Sequence, residues 1–469
     1  MLFPTLEFFT FFTVILILNW NLKRWPLAWR LFLLLSSYFF YSLWDFRFLI
    51  ILFSVSLFNF FIIKLIDIDF WGRRKWIFIF SIATNISVLG LYKYYDFFRV
   101  SAEDLLSRFG VATSLPLLEI ILPVGLSFYI LRAVSCNIDI YLKKITPVSS
   151  VLDFFIYISF FPQILSGPID RAGNFLPQLK DGGAGKIENL NQNLVLIILG
   201  LFKKIVFSNY LSTALVAPVV AIPQNYSFEV VILAVFSYSL VIYFDFSGYS
   251  DMAIGFAGLM GFKSPLNFDS PYLALDIRSF WRKWHMSLSS WVRDYIYVPL
   301  GGNRKGTTRK YANLMATMLV VGLWHGAALH FVIWGAIQGF GLVVSNALAK
   351  KLFEAKKVFQ KFLLWTATFI FVSVSWVFFF SETTKDAFDF FRYIFSFEEG
   401  RVDIFSFTIL ACFSAGLLLV LLEKQIFSSL VSLLKGRTVI FLIFFFILAF
   451  IVSMELSGDQ IPNFIYFSF

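Results

Sequence analysis

Long apolar runs separated by short polar connections extend from one end of the sequence to the other. A helix that crosses a bilayer needs about 20 mostly apolar residues. This length predicts candidate membrane spans at residues 4–20, 26–44, 47–65, 76–97, 116–135, 150–168, 192–222, 227–260, 311–327, 328–348, 362–380, 404–422 and 438–455. No polar stretch is long enough to form a soluble domain. We therefore expect an all-α polytopic membrane protein whose chemistry is built from helices and their connections.

Composition supports this class. Hydrophobic residues make up 59% of the 469 residues and charged residues only 14%, whereas soluble domains carry about 25% charged residues. We expect one integral-membrane domain over residues 1–469. Within it we distinguish N-terminal helices (1–115), a core that bears the motifs (116–348) and C-terminal helices (349–469).

Charge along the chain predicts the orientation. The first apolar run is preceded by Glu7 and by no basic residue, which is not typical of a cleaved signal peptide. Lys23 and Arg24 follow that run, so the positive-inside rule places them in the cytoplasm and the N-terminus outside. The acidic segment 381–403 is expected outside. Between residues 150 and 260 the alternation fails by one crossing, which predicts one broken or re-entrant segment, and Lys203 and Lys204 interrupt an apolar run there.

The net charge of +10 does not indicate a nucleic-acid partner. The basic residues fall in predicted cytoplasmic connections, where topology and anionic membrane lipid account for them. Cys136 and Cys412 lie in apolar runs without metal-ligand spacing, so we expect packing cysteines. The three histidines have no neighbouring cluster of Cys, Asp or Glu, and we expect no metal site and no bound cofactor.

All three histidines fall in two segments, residues 280–304 and 322–331. Histidine is the side chain best suited to proton transfer near neutral pH. From residue 278 to 310 there are eight Lys or Arg and one acid, Asp294, which is typical of a cytoplasmic surface. Apolar residues recur there at helical spacing and predict an amphipathic helix at the interface. His285 shares the apolar stripe, and it is either a core histidine or a functional one.

The turn that follows adds to the functional interpretation. Gly301 and Gly302 precede Asn303, Arg304 and Lys305. A Gly-Gly turn can present backbone N–H groups, and beside basic side chains this suits a phosphate or pantetheine group. The glycine signal is weak when taken alone.

His325 lies inside an apolar span between Gly322 and Gly326. Small residues one turn apart let helices pack closely, as do Gly335 and Gly339 further along. An ionisable group at membrane depth is expensive and indicates function. His330 lies about 140° around a continuous helix from His325, so we expect it to be structural.

A third polar segment, YFDFSGYSDMAIG (243–255), interrupts an apolar span with Asp245 and Asp251. Carboxylates in this setting need partners, which we expect to be Arg or His from neighbouring helices. They could line a pathway, orient a histidine or form a structural ion pair, and we favour the ion pair.

Together these motifs resemble the membrane-bound O-acyltransferase family, specifically its bacterial branch that modifies alginate or transfers D-alanine to teichoic acid. The resemblance covers nearly the whole chain and rests on LPVGLSFYIL (122–131), FFPQILSGPIDR (160–171), residues 243–255, residues 280–304, GLWHGAALHFVIWGAIQG (322–339) and the terminal FIYFSF. It implies a ring of about 11–13 membrane helices around a central pore, with re-entrant and interfacial helices. It also implies that His325 is essential and that His285 is a second functional position. His330 is an addition to the motif.

The resemblance and the residues lead to one predicted reaction. His325 would act as general base while an acceptor hydroxyl attacks a cytoplasmic thioester, either acetyl-CoA or an acyl-carrier thioester. The other candidates for binding donor or substrate are Arg282, Trp284, Ser287, Arg293, Asp294, Gly301, Gly302, Asn303, Arg304, Trp324 and Asp251. The expected acceptor is an extracytoplasmic glycan or a hydroxyl of a partner protein at the inner membrane.

Two classes compete with this prediction. A polysaccharide or lipid transporter would use the Asp245–Asp251 segment as its path, but the sequence lacks the internal repeat that many transporters show. An assembly subunit without chemistry would not need His325. The choice between acetyl and D-alanyl transfer stays open at this stage.

Overall fold

The computed structural model describes residues 3–69, 72–111, 121–180, 187–348, 357–396 and 400–437 apart from 403 and 405, with 441 and 451. These residues are mostly helical, and the only β pairing among them is an isolated bridge between Tyr226 and Arg401. Seven described helices are long and apolar enough to cross a membrane: Phe46–Asp67, Arg74–Tyr95, Leu190–Ala221, Phe228–Leu259, Leu329–Ala347, Val358–Phe380 and Phe407–Leu434. The predicted all-α polytopic class is confirmed. The span predicted at 438–455 lies outside the described residues except 441 and 451, and the ring and pore stay predictions.

The chain divides into two compact units. Their boundaries differ from those of the three predicted regions, and the single domain stays a prediction. The first unit comprises Met1–Glu188 with Phe256–Pro265, and the second comprises Asn189–Gly255 with Leu266–Phe469. The helices of the first unit are α1 (Leu6–Leu22), α2 (Pro26–Ser42), α3 (Phe46–Asp67), α4 (Arg74–Arg108), α5 (Leu126–Tyr141), α6 (Val151–Ser159), α7 (Phe161–Ile164) and α8 (Ala172–Lys180).

Buried amides connect helices of the first unit. Asn59 on α3 donates to Asn85 on α4 at 3.0 Å, and Asn137 on α5 donates to Ser81 on α4 at 2.6 Å. Such bonds stabilise helix contacts where hydrocarbon cannot solvate polar groups. The span predicted at 150–168 is broken, because α6 ends at Ser159 and α7 starts two residues later. The predicted interruption between residues 150 and 260 is therefore found here.

The second unit contains the two histidine segments. Its helices are α9 (Leu190–Leu201), π-helical turns at Phe202–Asn209 and Ser212–Val216, α10 (Ala217–Ala221), a 3-10 turn (Pro223–Asn225), α11 (Phe228–Leu259), a 3-10 turn (Pro271–Leu273), α12 (Ile277–Lys283), α13 (Met286–Val292), a π turn (Arg293–Tyr297), α14 (Gly306–His325), α15 (Leu329–Ala347), α16 (Val358–Ser375), α17 (Val377–Phe380), α18 (Thr384–Ser396) and α19 (Phe407–Leu434). Lys203 and Lys204 lie in a run that stays helical from Leu190 to Ala221, so they do not mark a break.

Helices α14 and α15 form a close hairpin. The Cα atoms of Gly322 and Gly335 lie so near each other that a Cβ added to either would meet the backbone of the other helix, 2.5 Å from the carbonyl oxygen of Met318 in the case of Gly335. This confirms the prediction that small residues allow close packing here. The hairpin matters for the site because His325 is the last residue of α14.

Candidate active site

His325 lies at the end of a helix, where the chain turns into the next one. Helix α14 stops because Gly326 adopts an extended conformation (φ −168°, ψ 157°), and α15 begins at Leu329. The two separate helices predicted at 311–327 and 328–348 are therefore found, and the 140° angle between His325 and His330 does not apply because it assumed a continuous helix. The His325 side chain is buried, with only 3% of its surface exposed. Because His325 is the last residue of α14, the helix holds its backbone in place. Its side chain is not part of a continuous helix face.

Aromatic rings surround His325. Its ring centroid lies 4.8 Å from that of Trp324, 5.1 Å from that of Trp334 and 5.0 Å from that of Phe379. The contacts with Trp334 and Phe379 are edge-to-face, at interplanar angles of 89° and 76°. The His325 imidazole is therefore packed among aromatic side chains and is removed from bulk solvent. Trp324, a predicted site residue, thus contacts His325 directly.

A series of tryptophans leads from His325 to the first histidine segment, residues 280–304. Trp334 stacks on Trp376 with centroids 5.6 Å apart, and Trp376 lies 5.3 Å from Trp284. Trp284 immediately precedes His285 and is buried. The fold therefore brings both histidine segments to one aromatic cluster, although about forty residues separate the two in the sequence.

His285 occupies a sharp turn and not a helix. Helix α12 ends at Lys283, His285 has φ 42°, and α13 starts at Met286. The predicted amphipathic helix is therefore wrong at this point, because a left-handed residue cannot continue an α-helix. The predicted burial of His285 is nevertheless found, at 1% exposure. Burial lowers the pKa of His285 to about 3, so the imidazole is neutral at physiological pH.

An asparagine that the sequence did not single out contacts this turn. The Oδ1 atom of Asn267 lies 3.0 Å from Nδ1 of His285 and accepts a hydrogen bond of 2.9 Å from the Ser287 hydroxyl. Ser287, a predicted donor-binding residue, is thus buried and engaged within the protein. Asn267 lies in a connection 18 residues before His285, where no pattern marks a single amide.

A cavity of about 420 Å³ opens beside the same segment. Three arginines, Arg278, Arg282 and Arg293, contribute to its lining. Its apolar lining includes Trp281, Leu288, Met318, Val321 and Leu342. Arg282 and Arg293 are exposed, and Arg293 pairs with Asp294 at 2.8 Å. The cavity therefore combines cationic groups with an apolar wall, which suits an anionic ligand with an uncharged extension.

Trp281 lines this cavity and also contacts the surroundings of His325. Its indole Nε1 donates to Oε1 of Gln338 at 3.1 Å, and Nε2 of Gln338 donates to the Ser375 hydroxyl at 2.7 Å. The centroid of Trp281 lies 5.9 Å from that of Trp334, which contacts His325. Trp281, which lines the cavity, thus contacts Trp334, and Trp334 contacts the buried imidazole.

The glycine turn does not present the backbone donors that we predicted for a phosphate. The N–H groups of Gly301, Gly302 and Arg304 donate to the carbonyls of Val298, Tyr297 and Gly301 at 2.9–3.1 Å. These bonds form because positive φ values at Gly301 and Gly302 fold the chain back on itself. The side chains of Asn303 and Arg304 are exposed and remain the groups that could contact a ligand here.

The acidic segment on α11 forms ion pairs with the π-helical turn that follows α9. Lys204 pairs with Asp245, and Lys203 pairs with Asp251 at 2.6 Å and also with Glu423 on α19. The hydroxyl of Tyr243 donates to Glu423 at 2.5 Å. The predicted structural ion pair is found, although the partners are lysines and not the expected Arg or His. Asp251 also borders a separate cavity of about 230 Å³ with Lys203 and Glu423.

His330 has a partner that explains its burial. Its Nδ1 lies 2.8 Å from the carbonyl oxygen of Phe378, which can only accept, so Nδ1 carries the proton. This bond joins α15 to α17 and agrees with the structural role that we predicted for His330.

Comparison with known proteins identifies the class of chemistry. The sequence model of the membrane-bound O-acyltransferase (MBOAT) family matches residues 141–385, which include both histidine segments. The chain is 36% identical to the probable alginate O-acetylase AlgI of Pseudomonas aeruginosa, over 78% of this chain and 70% of that protein. It is 35% identical to a peptidoglycan O-acetyltransferase of Helicobacter pylori, over 77% of this chain and 73% of that protein.

A more distant relative transfers a different acyl group. The chain is 33% identical to a teichoic acid D-alanyltransferase of Streptococcus thermophilus, over 49% of this chain and 58% of that protein. These matches confirm the resemblance and the enzyme class predicted from the two histidine motifs. The chain therefore belongs to the membrane-bound O-acyltransferase family and is a multi-pass membrane O-acyltransferase.

Proposed function

We propose that this enzyme transfers an acetyl group from a cytoplasmic thioester to a hydroxyl outside the membrane, on an exported polysaccharide or on a partner protein. The observation that carries the proposal is the position of His325. It is a buried imidazole at a helix end, enclosed by aromatic rings, in a chain of the O-acyltransferase family.

In this mechanism His325 acts as general base. The imidazole takes the proton from the acceptor hydroxyl while that oxygen attacks the thioester carbonyl. A carbon–oxygen bond forms, and the tetrahedral intermediate then expels the thiolate as the carbon–sulfur bond breaks. The imidazolium returns its proton to the thiolate, so no net proton is consumed. A positioned base of this kind accelerates a reaction by about 10²–10⁴-fold.

The arginine-lined cavity is the proposed entry for the donor. Both acetyl-CoA and an acyl-carrier thioester present phosphate groups followed by an uncharged pantetheine arm that ends in the thioester. Arg278, Arg282 and Arg293 suit the phosphates, and the apolar wall suits the arm. The proposed route of the thioester to His325 runs along Trp281 and Trp334, since Trp281 lines the cavity and Trp334 contacts both Trp281 and His325.

Acetyl is favoured over D-alanyl by the extent of the matches. The relatives named as alginate O-acetylases or as a peptidoglycan O-acetyltransferase match 77–80% of this chain, whereas the D-alanyltransferases match about half. The names of the acetylating relatives also favour a glycan acceptor. We place the enzyme in the inner membrane with its N-terminus outside, as the basic residues after α1 predict.

The test uses purified enzyme in proteoliposomes with labelled acetyl-CoA inside and alginate or peptidoglycan fragments outside. We expect label to appear on the glycan, or on a secreted partner when one is supplied. A parallel reaction with a D-alanyl carrier thioester should give little product. Transfer of D-alanine in preference to acetate would contradict the proposed donor, and efficient acetylation of glycan by the enzyme alone would exclude an obligatory protein relay.

A further inference from the structure

Asn267 forms hydrogen bonds with the turn that carries His285 and with α11. Its side chain is fully buried. Its main-chain carbonyl accepts from the N–H of Met286 at 2.8 Å, and its Nδ2 donates to the hydroxyl of Ser250 on α11 at 2.8 Å. Its Oδ1 faces His285 and Ser287. A single residue thus anchors the left-handed turn to α11.

The backbone N–H of Ser287 determines which atom of the Asn267 side-chain amide is the oxygen. The backbone N–H of Ser287 points at Oδ1 of Asn267 from 3.3 Å. A backbone N–H can only donate, so the atom that faces it must be the oxygen and not the NH2 group. The Ser250 hydroxyl can accept or donate, and it therefore fits the NH2 group on the other side.

This orientation determines the protonation of His285. Because Oδ1 of Asn267 is an acceptor, Nδ1 of His285 must donate to it across the observed 3.0 Å. In a neutral imidazole only one nitrogen carries hydrogen, so Nε2 holds the lone pair. The neighbouring bond from Ser287 to the same oxygen and the left-handed backbone at His285 keep the ring in place.

The surroundings of His285 favour this neutral state. The ring of Phe246 lies edge-on at 4.6 Å and that of Phe268 at 6.5 Å. The charged groups of the neighbouring elements are engaged in pairs, which join Lys204 to Asp245, Lys203 to Asp251 and Glu423, and Lys424 to Asp269. Arg282 and Lys283 lie on the preceding turn of His285's own segment. Asn267, an uncharged acceptor, thus orients the ring without stabilising an imidazolium.

We infer that Asn267 is a positioning residue that holds His285 as the Nδ1–H tautomer, with Nε2 as its basic nitrogen. The inference deepens the proposed function and rests on it only for the part that His285 takes in acyl transfer. The tautomer itself is a property of the folded chain and is measured without turnover.

The chain offers a direct measurement because it contains only three histidines. The full-length enzyme is labelled with ¹⁵N-histidine in lipid nanodiscs, and the imidazole nitrogens are recorded by NMR across pH 5–8. We expect His285 to show a protonated Nδ1, an unprotonated Nε2 and no titration. His330 provides an internal reference, because its Nδ1 donates to Phe378 independently of Asn267.

Two substitutions test whether Asn267 determines the tautomer of His285. Asn267→Leu removes the acceptor and should convert the His285 signals to a mixture of tautomers. Asn267→Asp places a carboxylate on Nδ1–H, which favours the imidazolium and raises the pKa of His285. The acid limb of the rate–pH profile should then move to higher pH, with about a tenfold loss of rate per pH unit below the new pKa. The second variant keeps an oxygen acceptor, so it also serves if Asn267→Leu does not fold.

Asn19 provides the matched control. It is also fully buried, its Nδ2 donates to the carbonyl of Met260, and its Oδ1 accepts from Trp29, with no histidine among these partners. Asn19→Asp should leave all histidine signals and the pH profile unchanged. A single Nδ1–H tautomer of His285 in Asn267→Leu, or no rise of its pKa in Asn267→Asp, would overturn the inference. If the tautomer changes while acyl transfer stays normal, Asn267 controls the ring as inferred, and the role assigned to His285 in transfer is wrong.

Discussion

Two regions of the second unit bury ionisable side chains, and they do so in opposite ways. Between the π-helical turn Phe202–Asn209, α11 and α19, the lysines Lys203 and Lys204 are matched by three carboxylates. Around His325, the neighbours are the rings of Trp324, Trp334 and Phe379. The first region pairs its cations with carboxylates. The second encloses an imidazole among aromatic rings.

The two regions differ in how readily their ionisable groups can change protonation during a reaction. A paired charge in a low-dielectric interior cannot change its protonation without stranding its partner, which makes it a poor proton carrier. A neutral imidazole among aromatic rings can accept a proton during the reaction and return it. We therefore assign acyl transfer to the histidine region and helix assembly to the ion-pair region. Asp245 and Asp251 then need no role as the path of a transporter, because they pair with Lys204 and Lys203.

The largest effect is expected from His325→Ala. Removing the base should lower the acyl-transfer rate by at least about 10²–10⁴-fold. The thermal unfolding midpoint shows separately whether the fold survives the substitution, so a loss of the base is distinguished from a loss of folded protein. Steady-state transfer of labelled acetate and the midpoint of thermal unfolding are measured on the same preparation.

His330→Ala is the matched control, since it removes the other buried histidine of the same hairpin. It loses the bond to Phe378 and should cost about 1–3 kcal/mol of stability with near-normal activity in the folded fraction. Near-normal transfer by His325→Ala would contradict the mechanism. Equal losses of activity in both variants would mean that the hairpin, and not the base, is being tested.

The second prediction concerns the ion-pair region. Lys203→Met leaves Asp251 and Glu423 facing each other without their cation, and breaking a buried pair costs about 3–5 kcal/mol. Adding Asp251→Asn and Glu423→Gln should restore much of that stability, because no buried charge is then uncompensated. Thermal unfolding in detergent gives the ranking of wild type, single variant and triple variant.

Activity in the triple variant sharpens the comparison. We expect near-normal transfer per folded molecule, which would remove Asp251 from the candidate donor-binding residues. A folded triple variant with a strongly raised KM for the donor would restore Asp251 to that set and would give the adjoining cavity a role in binding.

The sequence could predict features that depend on regular patterns of residues along the chain. Each of the seven described helices that are long and apolar enough to cross a membrane falls at one of the thirteen predicted spans, and small residues predicted the close approach of Gly322 and Gly335. The motifs predicted the family. These features depend on local composition and spacing, which a linear pattern contains.

The sequence could not predict what a few backbone angles decide. The left-handed φ of His285 breaks the apolar periodicity that had predicted a helix, and Gly326 ends α14 before His330. Helical periodicity assumes that the helix continues, so one residue outside helical φ and ψ invalidates every angle computed beyond it. The sequence also did not predict partners that are distant along the chain. Asn267 contacts His285 and Glu423 contacts Lys203, and neither Asn267 nor Glu423 belongs to a sequence motif.

The smallest effect is expected at the mouth of the arginine-lined cavity. Arg282→Gln should raise the KM for the donor about 3–10-fold with kcat nearly unchanged, because an exposed arginine contributes about 1 kcal/mol to binding a phosphate. Added salt should raise the wild-type KM and have less effect on the variant, since the lost term is electrostatic. Steady-state kinetics at two ionic strengths measure both quantities.

Arg47→Gln is the matched control, because Arg47 is an exposed arginine of the first unit that pairs with Asp45 and does not line this cavity. It should leave KM and its salt dependence unchanged. A fall in kcat with unchanged KM in Arg282→Gln would contradict donor binding at the cavity mouth, because the arginine would then act after the donor is bound. That outcome would still leave His325 as the base, so the donor entry and the reaction centre are tested separately.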